Sequence, residues 1–400
     1  MKIFESSSIG KMKIKNRLIR SATFEGMCDE NGFPKEEYHN HYSKLAKNDV
    51  GLLITGFSYC SKEGAAIQPG QAGIDSDDKI PYYKKITDSV HGYNSKIAMQ
   101  IAHTGRQTRS SATGNDVLGV SNKKSFYFGE KPKVLTTEKI YSIVNEFVDA
   151  AVRAKKSGFD AVQIHAAHGY LIHQFILPSI NNRKDEFGID KEYGIGIKFL
   201  GIIIDQIIDK CGDFPILVKV SASDDYRNKF SKEQFISLIR FLDSKKVDGI
   251  EISYGTMDQA LNIFRGSSIP YNTILDFDPV YKKRNTILRK VWKFFAKAFL
   301  SKEIIQFSPM YNINFAELAK RYTTVPVITV GGFRSKKEIE LVLSKEQADF
   351  VSLCRPFLAE PDFAIKIKEN EEYRSRCINC NVCAIKTGTY KITSCINANL

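Results

Sequence analysis

Three side chains able to donate or carry a proton follow directly on one apolar run. In VQIHAAHGYLIHQF, Val162 to Phe175, they are His165, His168 and Tyr170. Their types admit several chemistries. HxxH with His173 could supply zinc ligands, although no cluster of Asp or Glu at neighbouring strand ends completes such a site. The histidines could instead be satisfied core residues. As a third reading, two neutral imidazoles could aim N–H groups at an anion. Residue types alone leave these readings open.

A second constellation lies in the last 24 residues: Cys377, Cys380, Cys383 and Cys395, spaced C-x2-C-x2-C-x11-C. Four thiolates are the number that holds a [4Fe–4S] cluster or a structural zinc. Idle thiols are the plain alternative. The other four cysteines, Cys28, Cys60, Cys211 and Cys354, are scattered. In a chain expected to be cytoplasmic, clustered cysteines point to metal or redox chemistry more than to disulfides.

Eight short β-rich runs could position these groups: Arg17–Ala22, Gly51–Thr55, Lys96–Ala102, Ala161–His165, Ile216–Ser221, Gly249–Ser253, Pro326–Val330 and Asp349–Leu353. Several are almost wholly apolar, as strands buried on both faces are. Amphipathic stretches alternate with them. Thr137–Ser157 repeats apolar residues at helical spacing, and Ser231–Gln234 and Ser335–Glu338 fit capping boxes. Eight alternations predict a (β/α)8 barrel, with a doubly wound sheet as the alternative. No GxGxxG follows the first strand, which disfavours a dinucleotide-binding start.

A barrel builds its active site at the C-terminal ends of its strands. His165, His168 and Tyr170 then share one mouth with Gln100, His103 and Lys219. The last two strands end in VGGFRS and LCRPF, so Gly331, Gly332 and Arg355 could form a phosphate site. The barrel is expected over 1–372, with an insertion at about 254–311, and the cysteine tail over 373–400. The insertion contains ILRKVWKFFAKAFL, with Leu288, Val291, Trp292, Phe295 and Phe299 on one helical face. The plain expectation is that this helix packs over the barrel mouth. A membrane-surface patch or a basic rim for an anionic substrate are the sharper ones.

Composition narrows the class. The chain has 400 residues, 43% hydrophobic and 26% charged, as ordinary globular proteins do. No apolar run approaches the length needed to span a bilayer, and the N-terminus lacks a signal peptide's apolar core. The cytoplasm is therefore the expected compartment. The net charge of +13 would suit anionic partners, but no nucleic-acid motif accompanies it.

The ordered motifs resemble the Old Yellow Enzyme family of FMN-dependent oxidoreductases along nearly the whole chain. They are KNRLIRSAT (15–23), IAMQIAHTGRQ (97–107), GFDAVQIHAAHGYLIHQFILPSINNRKDEFG (158–188), VKVSASD (218–224), VITVGGFRS (327–335) and ADFVSLCRPFLAEPDF (348–363). CINCNVC with Cys395 is similar to the 2,4-dienoyl-CoA reductase and trimethylamine dehydrogenase branch, where four cysteines hold a [4Fe–4S] cluster. The resemblance implies that His165 and His168 bind the acceptor's oxygen and Tyr170 gives the proton. It implies FMN contacts from Ala22, Thr23, Gly56, Gln100, Lys219, Gly331, Gly332, Cys354 and Arg355. NAD(P)H would be the donor and a small molecule, such as an activated alkene, the acceptor. A separate electron-transfer protein and a homo-oligomer are further implied partners. The alternatives are an amine- or ether-type dehydrogenase with the same fold, a zinc-dependent barrel hydrolase, and a basic binding module without activity. Phe24, Ala22 and Ile189 depart from the family's usual residues at their positions.

Overall fold

The computed structural model describes residues 1–282, 285–389 and 391–396, with side chains throughout these except at 299–302. Phe299, which the sequence places on the apolar helix face, lies outside the described side chains. Eight parallel strands close into a barrel: β1 (Leu18–Arg20), β2 (Leu52–Ile54), β3 (Lys96–Ala102), β4 (Ala161–Ala166), β5 (Ile216–Ser221), β6 (Gly249–Ser253), β7 (Val327–Val330) and β8 (Phe350–Leu353). Each pairs with the next, and β8 pairs with β1 at Ser352–Ile19. All eight expected runs form strands: the third, fifth and sixth keep their expected ends, the fourth gains Ala166, and the other four are trimmed by one or two residues at an end. The (β/α)8 reading holds.

Alternate strand residues fill the barrel. Ile19, Leu52, Ile54, Ala98, Ala161, Leu217, Ile328 and Phe350 form an inner apolar cluster. A hairpin, Ser7–Ile9 against Met12–Ile14, plugs one end with Ile9, Met12 and Ile14. Alternating faces of each strand explain the pattern: residues two apart enter the interior and their neighbours meet the helices.

The outer layer comprises α1 (Glu36–Lys47), α2 (Ile80–His91), α3 (Thr137–Lys156), α4 (Lys198–Cys211), α5 (Lys232–Ser244), α6 (Thr286–Glu303), α7 (Ile313–Lys320), α8 (Lys336–Ser344) and α9 (Phe363–Glu369). Both expected capping boxes are present, at Ser231/Gln234 and Ser335/Glu338. In α3, Ile140, Val144, Phe147, Ala151 and Ala154 are buried, the stripe expected from their spacing.

The segment between β6 and α7 adds short helices at Ala260–Phe264 and Tyr271–Phe277, and then α6. The tail's helix, Val382–Lys386, packs on Tyr271–Phe277. The expected packing face of α6 needs correction. Trp292 does face inward, against Tyr271 and Tyr281, and Ala296 is buried, but Leu288, Val291 and Phe295 are exposed. No helix among the described residues is long and apolar enough to cross a membrane.

Candidate active site

A cavity of about 300 Å³ opens at the C-terminal ends of the strands. Ala22, Thr23, Gln100, His165, His168, Tyr170, Lys219, Gly331, Gly332, Cys354 and Arg355 all line it. Gly56 does not. Its N–H donates to Glu25 Oε1 at 2.7 Å, and a Cβ there would come 2.7 Å from the Thr23 carbonyl. Its smallness thus lets the ends of β1 and β2 approach, one layer behind the cavity wall.

The catalytic candidates form one wall. The His165 and His168 rings lie 4.9 Å apart, and His165 lies 4.9 Å from Tyr170. Phe57 packs on Tyr170 at 5.3 Å and on Phe24 at 6.0 Å, so the polar groups sit against an apolar floor. His165 is the penultimate residue of β4. His168 stands in the turn beyond it with φ +61°, followed by Gly169 at +78°. That left-handed backbone is uncommon outside glycine. It is held by Met257 N, which donates to the His168 carbonyl, and by His168 N, which donates to Ser221 Oγ at 3.1 Å.

Burial sets the proton states. It pulls both imidazoles well below their ordinary pKa, and the Lys219 charge pulls them further. Both rings are therefore neutral at pH 7. Burial pushes the Tyr170 phenol upward, so it keeps its proton. His168 Nε2 pairs with Ser253 Oγ at 2.8 Å.

Beneath the wall runs a network that sequence reasoning missed. Glu251, fully buried on β6, accepts from Ser21 and Ser352 at 2.6 Å and from Gln163 at 2.9 Å. It pairs with Lys219 at 3.3 Å, while Lys219 also donates to Ser21 Oγ at 2.8 Å. Gln163 in turn accepts from Gln100 at 2.7 Å. Burial raises the carboxyl's pKa, but the Lys219 charge and these hydrogen bonds outweigh it and hold Glu251 below the usual range. The available signal was a lone acidic residue inside the apolar run GIEIS.

At the other end of the cavity, Gly331 and Gly332 have φ +126° and +87°. A Cβ on Gly331 would stand 2.4 Å from the Tyr311 ring. Arg334, also missed, lines the cavity beside these glycines and Arg355. The Arg334 guanidinium is engaged by Asn379 Oδ1 and the Phe333 carbonyl, so the Arg355 guanidinium and the bare glycine backbone are what suit a phosphate. His165 Nδ1, Asn312 Oδ1 and Thr393 Oγ1, all on cavity-lining residues, are buried without a partner. Unsatisfied buried polar atoms of this kind fit a polar, ring-shaped ligand with a phosphate, as FMN is.

Among the described residues, no three His, Cys, Asp or Glu stand close enough to hold a metal ion. His173 does not complete HxxH, because its Nδ1 accepts from Gly169 N at 2.9 Å outside the cavity. The four tail cysteines line one small adjoining cavity, which shares Arg355, Leu358 and Cys383 with the main one.

Comparison with known proteins agrees with this geometry. The family model described as NADH:flavin oxidoreductase / NADH oxidase matches residues 2–294 and 301–373. An NADH oxidase of Thermoanaerobacter brockii is 29% identical over 386 residues, 95% of this chain and 53% of that protein. An NADPH dehydrogenase of Bacillus subtilis is 30% identical over 368 residues, 91% of this chain and 93% of the relative. The chain thus spans about half of the first relative and nearly all of the second. Among solved structures, a 2-naphthoyl-CoA reductase complex has TM-score 0.82 at 20% identity, covering 99% of this chain and 56% of that one. The old yellow enzyme homologue from Zymomonas mobilis has TM-score 0.71 at 22% identity, covering 94% and 95%. These two likenesses speak to the fold. The family match, over motifs that line the cavity, shows that the chain belongs to the NADH:flavin oxidoreductase / NADH oxidase family, the Old Yellow Enzyme family of FMN-dependent oxidoreductases.

Proposed function

We propose that this enzyme uses NAD(P)H to reduce an electron-poor acceptor, an activated C=C bond in the first instance. FMN, when bound, supplies the hydride chemistry. The chain's residues supply the rest. Ala22, Thr23, Gln100 and Lys219 would hold the ring, and Gly331, Gly332 and Arg355 the phosphate. His165 and His168, both neutral, each carry one N–H with which to bind the acceptor's carbonyl oxygen. These donors stabilise the negative charge that develops there, each by about 2–4 kcal/mol. His168 can donate from Nδ1 when the Ser253 hydroxyl donates to Nε2. Tyr170, still protonated, delivers its proton to carbon as general acid.

The supporting observation is the shared wall: two uncharged imidazoles and a protonated phenol, with the His165 ring in contact with both His168 and Tyr170, all lining one cavity. Tyr170→Phe tests it in separate half-reactions. Reduction of the flavin by NAD(P)H should be preserved, while alkene reduction slows by about 10²–10⁴. Equal loss in both would refute the assignment.

We also infer that Cys377, Cys380, Cys383 and Cys395 hold a [4Fe–4S] cluster; their C-x2-C-x2-C-x11-C spacing and shared cavity support this reading, although no three of them stand close enough to hold a single metal ion. Iron and acid-labile sulfide analysis of protein purified without oxygen tests this. Zinc alone, or no metal, would refute it. The wall shared with the main cavity favours a second reading, a dehydrogenase passing electrons out to a partner protein. Flavin reduction by an amine without NAD(P)H would select that reading.

A further inference from the structure

Helix α6 turns its apolar face to solvent. Ile287 and Phe294 are 72% and 71% exposed, and Leu288, Val291 and Phe295 stand out beside them. At helical spacing these five fill an arc of about 120°. The opposite face is engaged with the protein. Trp292 lines the main cavity, Ala296 is buried, Arg289 reaches Asp276 at 2.6 Å and Lys293 donates to Asn272. The orientation is therefore set from within, and the apolar arc is what remains outside. Contiguous exposed apolar surface of this kind marks a binding face.

Charge selects the occupant. Lys290 and Lys297 are exposed along one edge of the arc, on a chain of net charge +13. A second copy placed there would bring like charges together. An apolar arc bordered by lysines matches the boundary where acyl chains meet anionic headgroups. We propose that α6 docks the enzyme on an anionic lipid bilayer, lying in the plane of the interface with the Ile287, Val291 and Phe294 face inserted. Because Trp292, Glu303 and Ile304 line the main cavity, docking would bring the cavity next to the bilayer.

The test is vesicle flotation of the intact holoprotein. Phosphatidylcholine vesicles are compared with vesicles containing about 30% phosphatidylglycerol, a composition chosen to give an anionic surface. Binding to the anionic vesicles alone is expected. Ile287→Ser with Phe294→Ser should lower the partition coefficient at least about tenfold. Lys290→Gln with Lys297→Gln should lower it by about fivefold per charge. None of these four residues lines the main cavity, so an unchanged flavin spectrum controls for folding. The chain's single tryptophan, Trp292, gives an independent fluorescence signal from the helix itself. Absence of flotation with anionic vesicles, or flotation unaffected by the serine pair, would overturn the proposal. So would a stable dimer that the serine pair dissociates without any vesicle binding, which would assign this face to a second copy.

Discussion

Replacing Glu251 by glutamine removes the counter-charge of Lys219 while keeping the shape of the network. The two groups are 3.3 Å apart and both buried. At an effective dielectric of about 20, that separation corresponds to an attraction of about 5 kcal/mol. Removing one partner of a buried pair leaves the other charge uncompensated, at a typical loss of about 3–5 kcal/mol. The two routes agree, so Glu251→Gln should destabilise the flavin-stripped protein by about 3–5 kcal/mol. The assay is reversible urea unfolding followed by circular dichroism. Adding Lys219→Met removes the stranded charge, so the double variant should recover at least about 1 kcal/mol relative to Glu251→Gln alone. A loss below about 1 kcal/mol for Glu251→Gln, or strict additivity in the double variant, would refute the reasoning. The sign with pH follows from the depressed carboxyl. Its contribution is complete above the unfolded pKa of about 4.3 and is lost as pH falls through the lower folded value.

Gly331→Ala places a Cβ against Tyr311 and demands φ +126° of an alanine, at a strain of about 1–3 kcal/mol. FMN affinity measured by fluorescence titration should fall about tenfold or more, and unchanged affinity would remove this glycine from the cofactor site. Burial holds His103 and His173 near a pKa of about 3, against about 6.5 unfolded. Each should therefore withdraw about 1.4 kcal/mol of stability per pH unit below 6.5, and a urea midpoint unchanged between about pH 7 and pH 5.5 would contradict it. Ser253→Ala frees the His168 tautomer and should slow acceptor reduction about tenfold with flavin content intact. Loss of flavin instead would make Ser253 a cofactor ligand.

Much of this architecture was legible because burial on both faces imposes a simple pattern. All eight strands appear as β-rich runs, and the capping boxes at Ser231 and Ser335 mark helix starts by local chemistry alone. The wall residues are legible for a related reason: His165, His168 and Tyr170 follow a strand end, where a barrel exposes its chemistry. The N-terminal hairpin escaped notice because its strands, Ser7–Ile9 and Met12–Ile14, mix polar with apolar residues and lack the apolar run that marks equally short barrel strands such as Leu52–Ile54. Glu251 was hidden because its partners come from four other strands or strand ends. In α6, apolar residues occupy most of the circumference, so spacing identifies a helix without identifying its inner face. Trp292 and Ala296 settle that through tertiary contact.

The left-handed turn at His168 also acts as a filter on replacement. At φ +61° a β-branched or bulky side chain would be strained, whereas Asn, Asp and Gly accept that backbone more readily. On the proposed reading, aspartate would set a negative charge where negative charge develops on the acceptor, and glycine offers no side-chain donor. Of the tolerated residues, asparagine alone retains an N–H donor, so the backbone narrows the chemical alphabet at this position to two letters, His and Asn.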